Sequence, residues 1–334
     1  MRTIGGLPVS LATAAIAVAV VTLGCAGMEP NLDRPALWRV SGPEGHEMWL
    51  FGSVHQLPSE LQPTATAGVT RSLSSRLRAL MPLPVSWYGD ALHTAFRRAE
   101  SVIVETTDAL SPDQLGALAG RYEVGSSCAS LSSYLSEPAW ERLLTIIRDG
   151  AFGKDRPPRS ATSALFALSV VAVDESSEPT GPGVDYWLSR HAARTGKTII
   201  GLESHNDRIL AIDLAFRVAS CSQQAQLVEQ FVDQLGAHTA PVRASGDTLF
   251  DSVELWRHGQ TGVLTRELAN FKSKSPILHD AFLGQRNRAW LPQLIEQIER
   301  RHSSLVVVGI GHLSGPDNLL AMLEDHGYRV RRVQ

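Results

Sequence analysis

The chain has 334 residues, enough for one large domain or two small ones with a core that needs no staples. Hydrophobic residues make up 43% and charged residues 19%, a globular composition that excludes a disordered chain. Lys plus Arg is 31 against 34 for Asp plus Glu, a formal net charge of −3, so no basic field exists to draw a phosphate backbone and no nucleic-acid partner is expected.

Residues 1–27 differ from the rest. Arg2 is followed by an apolar Ala/Val-rich run from Leu11 to Leu23 and by the small stretch Gly24-Cys25-Ala26-Gly27, the layout of an export signal. Gly24 directly before Cys25 points to a bacterial lipoprotein signal with Cys25 as the lipid-bearing residue; simple secretion and a retained anchor are the alternatives. The expected location is the periplasm, or the outer membrane as a lipoprotein. No later apolar run approaches the roughly 20 residues of a spanning helix, so membrane contact is expected only through a lipid at Cys25. Two cysteines remain, Cys128 and Cys221, which in an oxidising compartment form either a disulfide or two buried thiols.

Residues 28–35 read as a polar tether, and one domain is expected over 36–334. Leu37–Val40 and Met48–Phe51 flank a Gly/Pro cluster and form a hairpin. Residues 57–84, rich in Pro, Ser, Thr and Ala, resemble an insertion. A helix over Ala91–Ala99 precedes the β-branched run Ser101–Glu105. A further helix begins after Ser136 and is closed by Gly150, and Ala161–Val173 is apolar all round, as a buried helix would be. Helix Val184–Ala193 stops at Gly196, and Lys197–Glu203 is a strand ending in a carboxylate. Residues 205–300 carry helical patterns only. Ser304–Val308 is the strongest strand, followed by a helix over Pro316–Asp325, a stop at Gly327 and a last strand Tyr328–Val333. This order predicts an α/β core, a mixed sheet with an inserted helical region. Trp140, Trp187, Trp256 and Trp290 are read as core.

Two pieces share the form G-x-x-H just past an apolar strand: Gly52-Ser53-Val54-His55 and Gly309-Ile310-Gly311-His312. A His beyond a strand's C-terminal end projects into the crevice where α/β sheets bind ligands, and imidazole is a common metal ligand. Glu105 and Glu203 close two other strands. Together His55, Glu105, Glu203 and His312 form a candidate site for a divalent metal such as Mn, Co, Fe or Zn, whose bound water would attack a carbonyl. His46, His93, His205, His258 and His302 are read as structural or surface residues. The chain lacks H-E-x-x-H, G-x-S-x-G and C-x-x-C, and Gly309–Ser314 departs from a dinucleotide fingerprint at its third glycine.

Leu37-Trp38-Arg39-Val40 with Trp49–His55, Val104-Glu105, Gly183-Val184-Asp185 with Gly196-Lys197, Leu202-Glu203-Ser204, Arg286-Asn287 and Val308–Leu313 resemble, in order and spacing, the TraB/GumN family across about residues 36–334. That family is similar to the Tiki proteases and, more distantly, to erythromycin-esterase and ChaN-like proteins. The resemblance implies an α/β fold whose two G-x-x-H elements and strand-end Glu line one cleft, with metal-dependent peptide hydrolysis as in the Tiki branch. It implies His55 and His312 as metal ligands or their partners and Glu105 as ligand or general base. Arg286 would be an oxyanion or carboxylate clamp and Asn287 a positioning donor. The expected function is thus a metal-dependent hydrolase of a peptide, amide or small ester. The alternative is an envelope ligand-binding module on the same fold.

Overall fold

The computed structural model describes residues 33–42, 45–63, 83, 85–108, 110, 112–123, 128, 130–149, 157–171, 180–238, 252–300 and 302–334. The export signal with Cys25, and most of the 57–84 stretch, lie outside the described residues.

Strands β1 (Leu37–Ser41) and β2 (Glu47–Ser53) form the expected antiparallel hairpin. β3 (Gln56–Pro58) leaves the main sheet to pair with β5 (Thr180–Pro182), a two-stranded ribbon too short to leave a periodicity in the sequence. β4 (Ser101–Val104), β6 (Thr198–Gly201), β7 (Ser304–Gly309) and β8 (Arg329–Arg332) complete a six-stranded mixed sheet of order β6-β4-β7-β2-β1-β8. The pairs β2/β7, β7/β4 and β4/β6 are parallel; β1/β2 and β1/β8 are antiparallel.

Composition explains the placement. β4 and β7 lie inside the sheet, and Val102, Ile103 and Leu305 to Val308 are fully buried, the continuous aliphatic run of a strand covered on both faces. Each such side chain removed from water contributes about 1.5–3 kcal/mol. β8, with three arginines in four residues, forms an edge, where charge discourages further pairing. Helices Asp90–Arg98 and Val184–Thr195 pack against this sheet. The second ends at Gly196, whose φ of 75° puts it in the left-handed region while Lys197 N–H donates to Ala192 O at 3.0 Å.

The helical region forms its own apolar cluster, separate from the sheet core, with Leu143, Phe166, Ile212, Val228 and Leu278 at its centre. The sequence order suggests one helical block after residue 205. The structure instead assembles this cluster from two stretches, one containing helices Glu137–Asp149 and Ala161–Val171 and one containing His205–Phe216 and Cys221–His238, with β6 between them. Cys128 and Cys221 are joined by a disulfide, Cα atoms 5.3 Å apart, linking the two stretches. Trp256 and Trp290 are fully buried, while Trp140 and Trp187 are half-buried. Among the described residues no helix is long and apolar enough to cross a membrane.

Candidate functional site

All four parallel strands end on one edge of the sheet, so the residues just past them share one crevice. His55 follows β2, Glu105 follows β4, Glu203 follows β6 and His312 sits in a short 3-10 turn after β7. The loops after β4 and β6 are tied together, since Leu202 N–H and Glu203 N–H both donate to Glu105 O.

Arg286 fills the centre of this group. It lies in the first turn of helix Gln285–Glu299, directly after a π-helical segment, Asp280–Gly284. Its Nη2 donates to Glu105 Oε2 at 2.5 Å and to Glu203 Oε1 at 2.6 Å, and its Nε donates to Glu203 Oε1 and Oε2 at 3.0 and 3.1 Å. Its Nη1 donates to Phe282 O at 3.0 Å and faces His312 Nε2 at 3.1 Å. A second cation, Arg208 on helix His205–Phe216, donates from Nη2 to Glu105 Oε2 at 3.2 Å and holds its Nε 3.5 Å from Glu203 Oε1. Two carboxylates and two guanidiniums thus neutralise one another, which is how buried charge is tolerated. Trp290 adds an indole N–H to Glu203 Oε2 at 3.1 Å and its ring lies 4.7 Å from the Arg286 guanidinium carbon.

The imidazoles differ. His312 is buried; its Nδ1 meets Asn287 Oδ1 at 2.6 Å, and Asn287 Nδ2 donates to Asp317 O at 2.7 Å. Because that amide's N–H₂ is turned to a carbonyl, its oxygen must accept from His312 Nδ1–H, leaving the Nε2 lone pair to accept from Arg286. Burial, then Arg286, pulls the His312 pKa far down, so this ring stays neutral. His55 keeps 39% of its side chain open, donates from Nδ1 to Asp185 Oδ2 at 3.3 Å and turns Nε2 toward Glu105 Oε1, 3.6 Å away. Desolvation lowers its pKa, but the Glu105 charge and the Asp185 hydrogen bond and charge outweigh it, and the net shift is upward. For Glu105, burial pushes upward, yet Arg286 foremost, with His55 and Arg208, holds the carboxyl well below its usual range.

Two glycines make these approaches possible. A Cβ on Gly183 would lie 2.3 Å from His55 C and Val54 O, so only glycine lets the helix carrying Asp185 start against the His55 backbone. A Cβ on Gly309 would stand 3.1 Å from Glu105 Oε1, 3.5 Å from His55 Nε2 and 3.6 Å from His312 Cδ2. The glycine therefore leaves a small cradle between these three groups, and its N–H donates to Glu105 Oε1 at 2.7 Å.

With Arg286 in this position, Glu203 is not free to join His55, Glu105 and His312 as a metal ligand. Both oxygens of Glu203 are spent on Arg286 and Trp290, Glu105 Oε2 is spent on two arginines, and the His312 Nε2 lone pair faces a guanidinium. Among the described residues no group of three or more His, Cys, Asp or Glu side chains is arranged to hold a metal ion. Arg286 is likewise buried and committed to the protein, and Asn287 acts on His312 as an acceptor. Asp185 and Arg208 are the members the sequence reading did not single out. Asp185 stood within the quoted Gly183-Val184-Asp185 motif, and Arg208 one helical turn past Glu203-Ser204, behind a capping box of Ser204 and Asp207.

Residues 80–332 match the model of the TraB/PrgY/gumN family, a span that contains every member of this site except His55. His55 is supplied by the hairpin ahead of it, through β2 paired with β7. The chain matches no curated protein and no solved structure. With the family model covering well over half of its length, the chain belongs to the TraB/PrgY/gumN family.

Proposed function

We propose that this chain is a hydrolase of peptide, amide or small ester bonds in which His55 takes the proton from the attacking water. The observation that carries this reading is the half-open His55 ring, pinned at Nδ1 by Asp185 with Nε2 turned to the Gly309 cradle. An imidazole held in one tautomer by a carboxylate is suited to proton transfer. Water oxygen would bond to the carbonyl carbon as its proton passes to Nε2. The same proton would then go to the leaving amine or alkoxide as the carbonyl carbon's bond to it breaks. Arg208, 21% exposed at its side chain and close enough to His55 to depress its pKa, supplies positive charge for a developing oxyanion. The Glu105–Arg286–Glu203 network is the fixed floor.

A metal-dependent form of the same hydrolysis is the second reading, favoured by the convergence of His55 Nε2 and His312 Nε2 on Glu105 Oε1, at 3.6 and 3.8 Å. It requires Arg286 to release His312. An exported location agrees with the Cys128–Cys221 bridge, since disulfides persist in oxidising compartments. The test is cleavage of a peptide and ester library by wild type, His55→Ala and Asp185→Asn. Turnover lost in His55→Ala supports the reading. Ligand-induced thermal stabilisation without turnover would make the cleft a binding module instead.

A further inference from the structure

Asp317 lies outside the cleft, in the turn between His312 and helix Leu319–Asp325, and its φ of 54° makes it the one non-glycine residue in the left-handed region among the described residues. A left-handed φ is disfavoured for any residue that carries a side chain, least so for Asp and Asn, so such a residue persists only where its surroundings hold it. Here Lys272 Nζ donates to Asp317 Oδ2 at 2.6 Å, from helix Thr261–Lys274. Buried His279 also approaches, with Nδ1 3.7 Å from the same oxygen. What this conformation delivers is a backbone carbonyl: Asp317 O accepts from Asn287 Nδ2 at 2.7 Å, and Asn287 Oδ1 meets His312 Nδ1 at 2.6 Å.

We infer that Asp317 is a positioning residue that fixes the tautomer of His312 through Asn287. An amide free to rotate would offer His312 Nδ1 either its oxygen or its N–H₂, and the second choice would move the ring proton to Nε2, where it would confront Arg286 Nη1. The Asp317 carbonyl forbids that choice because it can only accept. The chain of contacts therefore runs from a half-exposed lysine, through a clamped carboxylate and its own carbonyl, to the lone pair that anchors Arg286 beneath the cleft. The consequence for turnover rests on the hydrolase reading above; the consequence for the tautomer does not.

The experiment compares Asp317→Val, Asp317→Gly and Asp317→Asn in the full chain, reading the His312 ring by long-range ¹H–¹⁵N spectra, with its signals assigned through His312→Gln. Valine is strongly disfavoured at positive φ, whereas glycine and asparagine keep the turn. Wild type, Asp317→Gly and Asp317→Asn are expected to show the Nδ1–H pattern, and Asp317→Val to show loss of it, with turnover down at least tenfold and KM little changed. Should Asp317→Val fail to fold, Asp317→Ala, which carries a milder penalty at positive φ, takes its place: partial loss of the Nδ1–H pattern is expected, and a pattern identical to wild type would overturn the inference. Retention of the Nδ1–H pattern in folded Asp317→Val, or an Nε2–H pattern in wild type, would overturn the inference. A changed tautomer in a chain that hydrolyses nothing would uphold it while removing the hydrolase reading.

Discussion

Arg286 decides how the buried site is held. Removing it would leave Glu105 and Glu203 facing each other with only Arg208 between them, and breaking a buried ion network by deleting one partner costs about 3–5 kcal/mol. Arg286→Ala is therefore expected to lower the urea midpoint sharply, and Arg286→Lys to recover only part of it, because an ammonium cannot reproduce the forked contacts. A midpoint unchanged in both would show that the network contributes nothing. His55 gives a pH prediction. Its pKa is raised in the folded protein and it must be neutral to take a proton, so turnover should rise as pH climbs through a value above the ordinary 6.5. Asp185→Asn removes one of the raising interactions, so this limb should move to lower pH while the maximal rate falls about 100-fold. An unmoved limb would mean that His55 is not the titrating base. The sequence exposed His55, Glu105, Glu203 and His312 because each follows a short apolar strand. It could not show that Arg286 spends every donor inward, since spacing carries no information on which partner a guanidinium finds. Asp185 and Arg208 act from the first turns of helices, where acidic and basic residues are common for many reasons.

Among the elements, the strands and most helices were legible because their apolar periodicity is long enough to read. The short β3/β5 ribbon was not, and the helix expected from Pro316 begins at Leu319, because Gly315 and Asp317 adopt left-handed conformations before Asn318 caps it by accepting from Ala321 N–H. The packing of helices Asp90–Arg98 and Val184–Thr195 carries its own test. His191 is buried, its ring stacked on Phe96 with centroids 4.4 Å apart, and burial pulls its pKa to about 4. The unfolded chain, with an ordinary imidazole, binds a proton first as pH falls. Stability is thus full above about 6.5 and is lost progressively down to about 4, by an amount on the order of 3 kcal/mol. His191→Leu should flatten that part of the stability profile. A profile equally steep in the variant would place the acid sensitivity elsewhere.

At the scale of the molecule, the chain has a sheet core and a separate helical cluster, and Arg208, on a helix of that cluster, reaches Glu105 at the end of β4. The disulfide joins two stretches of the helical cluster separated by 93 residues in sequence. Bridging so long a span typically contributes about 2–4 kcal/mol, chiefly by restricting the unfolded chain. The Cys128→Ala/Cys221→Ala double variant should therefore unfold at a clearly lower temperature, and a matching midpoint would contradict that role. The α/β class was legible from strand and helix order alone. That the helical cluster is built from both sides of β6 was not, because cluster membership depends on long-range contact. The most direct measurement is library cleavage by the purified chain in the presence of a chelator, wild type against His55→Ala. Cleavage that persists with the chelator and vanishes in His55→Ala is the expected result. Cleavage that survives His55→Ala, or that disappears with the chelator and returns with Mn²⁺, Co²⁺ or Zn²⁺, would contradict proton transfer by His55 as the source of the reactive water.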